Sequence, residues 1–249
     1  VFRFTTVAVV LAIVILSFRA ASRIYSGDQS AASDGFHSPP PTPIASVLFL
    51  PFSSAASGSE REVGPPQIGV VAGHWQYDTG ALCPDGLREV DINLAVAGKV
   101  VEILTARGYR AELLPEVAPA IQGYSADAFV SIHSDSCIWE ASGFKVARVT
   151  HSAVPQLEDH LVESLYEAYE EVTGLPRHQN SITSHMTQYH NFRKIAPTTP
   201  GAIIELGFMG SDYDLLVNQQ DRVALGVAEG IVRFLTTPMD APAAEDLSE

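Results

Sequence analysis

Three apolar runs in this 249-residue sequence each lead to a side chain that can ligate a metal ion or move a proton. IGVVAG (68–73) is followed by His74, AFVSI (128–132) by His133, and GAII (201–204) by Glu205. A fourth such group, Glu89, stands in GLREVDINL (86–94), on the stretch that leaves His74. Two imidazoles and a carboxylate are a normal ligand set for catalytic zinc, with water in the fourth position. A second carboxylate, Glu205, is then free to take a proton from that water. Taken singly, these residues also admit plainer roles. A histidine at a strand end is often a hydrogen-bonded structural group, and a glutamate at a helix start is favoured by the helix dipole. Together they are harder to explain that way, because a carboxylate behind two isoleucines is costly to bury unless a cation or hydrogen bonds compensate it.

The surrounding pattern must bring these groups to one place. IGVVA (68–72) reads as a short buried strand, and Val90, Leu94, Ala97, Val101 and Leu104 then recur at helical spacing until Gly108. RAELL (110–114) and AFVSI (128–132) read as further strands, and FKVARV (144–149) alternates apolar and basic residues as a half-exposed strand does. Leu157, Leu161, Leu165, Ala168 and Val172 mark a second helix, AIIEL (202–206) another buried strand, and Val223, Val227, Ile231 and Phe234 a last helix. Strands alternating with helices predict a single α/β domain with a mostly parallel sheet flanked by helices on both faces. Ligands in such sheets gather at the carboxyl ends of the strands, where His74, His133 and Glu205 stand.

Composition narrows the partners. The formal charge of −14 opposes binding to nucleic acid or to an anionic lipid surface, since no Lys/Arg cluster offsets it. At 46% apolar and 18% charged, the chain suits one globular domain with flanking segments. FTTVAVVLAIVILSF (4–18), with arginines at 3, 19 and 23, predicts a signal peptide or membrane anchor over 1–20. A Ser/Ala/Pro-rich linker over 21–65, interrupted by the apolar ASVLFLPF (45–52), and an acidic disordered tail over 237–249 leave 66–236 for the folded domain. N-terminal membrane contact and an extracytoplasmic location, tethered or secreted, are the expectations.

Four blocks then carry a resemblance. Val71 to His74 with the Gly80-Ala81 loop, GLREVDINLA (86–95), FVSIHSD (129–135) and IIELGFMGSDYD (203–214) resemble, in order, the signature blocks of the zinc-dependent N-acetylmuramoyl-L-alanine amidases, the amidase-3 group of cell-wall hydrolases. The resemblance implies that His74, Glu89 and His133 bind Zn2+ and that Glu205 is catalytic. It also implies an α/β fold, and peptidoglycan as substrate, cut between N-acetylmuramic acid and L-alanine. The blocks depart from the family pattern in places. Val71 and Ala72 precede Gly73 where the family has Asp-Pro, and Trp75 follows His74 in place of glycine. Ser134-Asp135 replaces Ala-Asn, and Gly210 to Asp214 replace Asn-Pro-x-Asp. A related zinc peptidase cutting the stem peptide and a non-catalytic wall-binding module are the competing readings.

The stretch from 137 to 200 matches loosely, so no substrate residues carry over there. Within it, SITSHMTQYHNFRK (181–194) offers His185, His190 and Arg193 as a basic loop that can hold a peptide carboxylate or an oxyanion, or serve as plain surface polarity. Cys83 and Cys137 lie close in sequence to Glu89 and His133. If those motifs meet at one metal, the cysteines sit on adjacent loops, as a disulfide, as free thiols, or as ligands of a closed zinc site.

Overall fold

The computed structural model describes residues 64–239. The predicted N-terminal apolar segment, nearly all of the linker including 45–52, and the tail from 240 onward lie outside the described residues. The elements run β1 (Gln67–Ala72), α1 (Glu89–Ala106), β2 (Arg110–Pro115), β3 (Ala128–Asp135), β4 (Lys145–Ala147), α2 (Pro155–Thr173), β5 (Gly201–Phe208) and α3 (Gln220–Thr236). The sheet order is β2-β1-β3-β5-β4, parallel throughout except where β4 pairs antiparallel with β5. Among the described residues, no helix is long and apolar enough to cross a membrane.

Because side chains alternate across a strand, each central strand feeds two cores. Ile68, Val70, Val130, Ile132, Ile204 and Leu206 point to the face covered by α1, α2 and α3, with α3 packed against both other helices. Val71, Phe129 and Ile203 point to the opposite face. There the cover is thinner: short helical turns at Pro119–Ile121, Ser184–Thr187 and His190–Arg193, whose Ile121, Met186 and Phe192, with Tyr189 between the last two turns, close the second core. Helices flank both faces, as the alternating pattern predicts, but unequally. A cavity lined in part by Ile203, Met186 and Tyr189 lies on this thinly covered side.

Two strands run further than their apolar stretches. β3 continues to Asp135 and β5 to Phe208, so His133 lies within its strand rather than beyond it, and Glu205 lies within its strand as expected, with the strand running on beyond 206. They stand directly across from each other, and Lys145 on β4 stands across from Glu205. Three neighbouring strands thus set His133, Glu205 and Lys145 in one row. β4 itself is a correction to the reading of 144–149: it is only three residues long, and all three are buried. The side of β4 expected to meet solvent faces the cavity instead, where Lys145 pairs with Asp135 at 2.5 Å.

A disulfide joins Cys83, on the loop between β1 and α1, to Cys137, just beyond β3, with Cα atoms 5.4 Å apart. It spans 54 residues, a loop whose closure restricts the unfolded chain by about 4 kcal/mol on a chain-entropy basis. Its local effect is to fasten together the two loops that leave His74 and His133. No thiolate remains for a closed zinc site.

Candidate metal centre

The chain turns sharply as it leaves β1, and His74 sits in that turn with φ 66°, a left-handed conformation that few residues with a Cβ adopt. The turn is held from outside: the His74 N–H donates to Glu116 Oε2 at 3.0 Å, and His74 Nδ1 bonds Asp78. That leaves Nε2 to face Glu89 Oε1, 3.2 Å away. Glu89 opens α1, where a carboxylate suits the positive end of the helix dipole. It is buried, and it accepts the Ala81 N–H at 2.9 Å, the Ser134 N–H at 3.2 Å and Asn93 Nδ2 at 3.1 Å. His133 brings Nδ1 to within 3.1 Å of the same Glu89 Oε1. One ligand atom from each of His74, Glu89 and His133 lies within 4.8 Å of the others.

The arrangement fits a cation on physical grounds. Burial alone would hold His133 neutral, yet the carboxylates of Glu116, Glu89 and Glu205 around it push its pKa up to about 10. Burial likewise pushes Glu89 up, but its bonds to His133 and His74 outweigh this and hold it well below the usual carboxylate range. Carboxylates thus collect positive charge at the point where the imidazoles meet, and a metal ion satisfies the same demand without a proton. Space is kept for it by two glycines. A Cβ on Gly73 would lie 2.5 Å from the His133 ring, and one on Gly80 (φ +61°) would lie 2.5 Å from Glu89 Oε2 and 2.7 Å from His74 Cδ2.

Glu205 faces this centre from the next strand. Its Oε2 is buried without a hydrogen-bond partner. Burial, reinforced by the Glu89 and Asp135 charges and opposed by His133 and Lys145, raises its pKa to about 7. All four groups line one cavity of about 600 Å³. Of the basic loop, His185 and His190 reach the same cavity. Arg193 does not: it lines a separate depression with His151 and Glu158, because the turn at His190–Arg193 directs it away. His190 is already engaged, with Nε2 2.6 Å from Glu116 Oε1 and Nδ1 2.9 Å from Lys194 Nζ.

Lys145 and Glu116 also line the cavity, and the sequence did not single them out as site residues. Lys145 is buried beside Glu205 and donates to the Ser181 carbonyl at 3.0 Å and its hydroxyl at 3.1 Å. Glu116 follows Pro115, one residue past β2, and it touches both the His74 turn and His133. The available signal was a carboxylate just after an apolar strand, the same signal that singled out Glu205.

The model of the N-acetylmuramoyl-L-alanine amidases, Amidase_3, matches residues 68–236, the whole of the sheet and its helices. The chain belongs to this amidase family. It hydrolyses the amide bond between N-acetylmuramic acid and L-alanine in peptidoglycan, and His74, Glu89 and His133 form its zinc site. Solved amidases share the fold. One from Clostridium difficile 630 superposes with a TM-score of 0.57 at 19% identity, covering 69% of this chain and 97% of that one. AmiC2 of Nostoc punctiforme gives 0.55 at 22%, covering 70% and 99%. The catalytic domain of CwlV from Bacillus (Paenibacillus) polymyxa var. colistinus gives 0.53 at 23%, covering 68% and 98%. No curated protein matches the chain.

Proposed function

We propose that Glu205 is the general base of this amidase, that the cavity wall bearing His185 and His190 receives the stem peptide, and that the enzyme works outside the cytoplasmic membrane, tethered by the segment over 1–20 or secreted. The observation that carries the catalytic assignment is the free, buried Oε2 of Glu205 beside His133, on a carboxylate whose pKa of about 7 suits it to gain and release a proton near neutrality. Zinc held by His74, Glu89 and His133 supplies Lewis acidity toward the scissile carbonyl and the attacking water. Glu205 takes one proton from that water as its oxygen bonds to the carbonyl carbon. The same carboxylate gives the proton to the alanine nitrogen as the C–N bond breaks. The products are a carboxyl group on the muramic acid and a free amine on L-alanine. Lys145 lines the same cavity beside Glu205 and pairs with Asp135 at 2.5 Å.

A wall-binding module has no use for an unpartnered carboxylate kept beside a metal site, and this favours the enzyme over that alternative. Elemental analysis of the purified protein tests the reading. A single tightly held zinc is expected, and a folded preparation made without chelators that contains no metal contradicts it.

A further inference from the structure

We propose that Glu116 is the positioning carboxylate of the metal centre, holding the Nε2 side of His133 so that Nδ1 is the nitrogen offered to the ion. The inference rests on the zinc reading above and extends it to a residue outside the ligand set.

The register of β1 and β2 pairs Ala72 with Pro115, so the chain delivers Glu116 to the level of the His74 turn. The residue is only 4% exposed, and a carboxylate so buried requires compensation. Its two oxygens divide the work. Oε1 accepts the Tyr189 hydroxyl at 2.9 Å and faces His190 Nε2 at 2.6 Å. Oε2 accepts the His74 N–H at 3.0 Å and lies 3.5 Å from His133 Nε2. The last separation is longer than a formed hydrogen bond, and His133 Nε2 has no other partner among the described residues.

The two nitrogens of His133 therefore face two different carboxylates. Nδ1 looks to Glu89, where the His74 ligand atom also gathers, and Nε2 looks to Glu116. A neutral imidazole carries one ring proton, and Nδ1 has a lone pair for a metal only when that proton is on Nε2. A carboxylate on the Nε2 side selects that tautomer and orients the ring. His74 has the mirror arrangement, with Asp78 on Nδ1 and Nε2 left toward Glu89. Each imidazole is thus backed by its own carboxylate on the side away from Glu89. Glu116 does more than Asp78, because it also fixes the backbone of the other ligand.

The test compares zinc affinity, by chelator competition, in the full chain, in Glu116→Gln and in Tyr189→Phe, together with 15N spectra of the His133 ring in the zinc-loaded wild type. Glutamine keeps the volume and an acceptor oxygen but removes the charge. Tyr189→Phe removes a bond to the same carboxylate and keeps the ring that packs against His133. We expect Glu116→Gln to lose about 10- to 100-fold in affinity, Tyr189→Phe to change it little, and His133 to carry its proton on Nε2 with the metal on Nδ1. Three results overturn the proposal: wild-type affinity in Glu116→Gln, an equal loss in Tyr189→Phe, or metal on Nε2 of His133. If the wild type itself binds no zinc, the functional reading falls and this inference falls with it. If the wild type binds zinc and Glu116→Gln binds it equally well, this inference falls alone.

Discussion

Glu205→Gln keeps zinc and the fold and lowers kcat by about 10²- to 10⁴-fold, the usual contribution of a positioned general base. Glutamine nearly matches glutamate in shape, and Oε2 of Glu205 makes no hydrogen bond that the substitution would break. Replacing a carboxylate whose pKa is raised by burial with a neutral group also relieves a desolvation cost, so the variant should be no less stable than the wild type. The loss belongs in kcat more than in KM, because proton transfer is made only on the way through the transition state. Steady-state rates on purified peptidoglycan, with zinc content and melting temperature measured on the same preparations, check this. Near wild-type turnover with zinc bound would move the base elsewhere in the cavity, with Asp135 and His190 as the next candidates.

Glu89→Gln acts on the metal itself, and its effect on zinc affinity should exceed the roughly 10- to 100-fold typical of a residue outside the ligand set. Glu89 provides the only anionic ligand of the three, and its Oε1 is the point on which both imidazoles converge, at 3.2 Å from His74 and 3.1 Å from His133. The substitution also turns an acceptor into an amide among donors. Ala81 N–H, Ser134 N–H and Asn93 Nδ2 all point at this carboxylate, and a misplaced NH₂ leaves one of them unpaired at a cost of about 1–3 kcal/mol. A lowered melting temperature and zinc lost on dialysis are therefore expected together. The contrast with Glu205→Gln is diagnostic: both variants lose activity, but only Glu89→Gln loses zinc. Retention of zinc at wild-type affinity would remove Glu89 from the ligand set.

The sequence made the strands and long helices legible because apolar runs and helical spacing mark buried faces directly. It also marked His74, Glu89, His133 and Glu205, since polar groups next to apolar runs are costly and so conspicuous. Strand ends were less legible. A histidine looks like the end of a buried run, yet β3 continues past His133, and β5 past the expected 206, because His133 and Glu205 face a cavity and the two strands go on pairing after a shift of register between His133 and Asp135. Lys145 was misread for a related reason: an alternating pattern reports two different environments, but not whether the polar one is solvent or a cavity. Glu116 depended on topology. Only the parallel pairing of β2 beside β1 brings it to the His74 turn, and no local spacing encodes which strands are neighbours. Of the three candidates in the loop at 181–194, His185 and His190 reach the cavity and Arg193 points away, since a short helical turn rather than sequence proximity decides which side chains face inward.

The most direct test of the central claim is the identity of the bond that is cut. Purified peptidoglycan is digested with the zinc-loaded chain, with Glu205→Gln as the blank, and the products are identified by mass spectrometry. The account predicts stem peptides with a free amino group on L-alanine and glycan strands whose N-acetylmuramic acid carries a free carboxyl group, at a rate that collapses in the blank. Fragments cut within the stem peptide, or no release of peptide from the glycan by a zinc-loaded wild type, would contradict it.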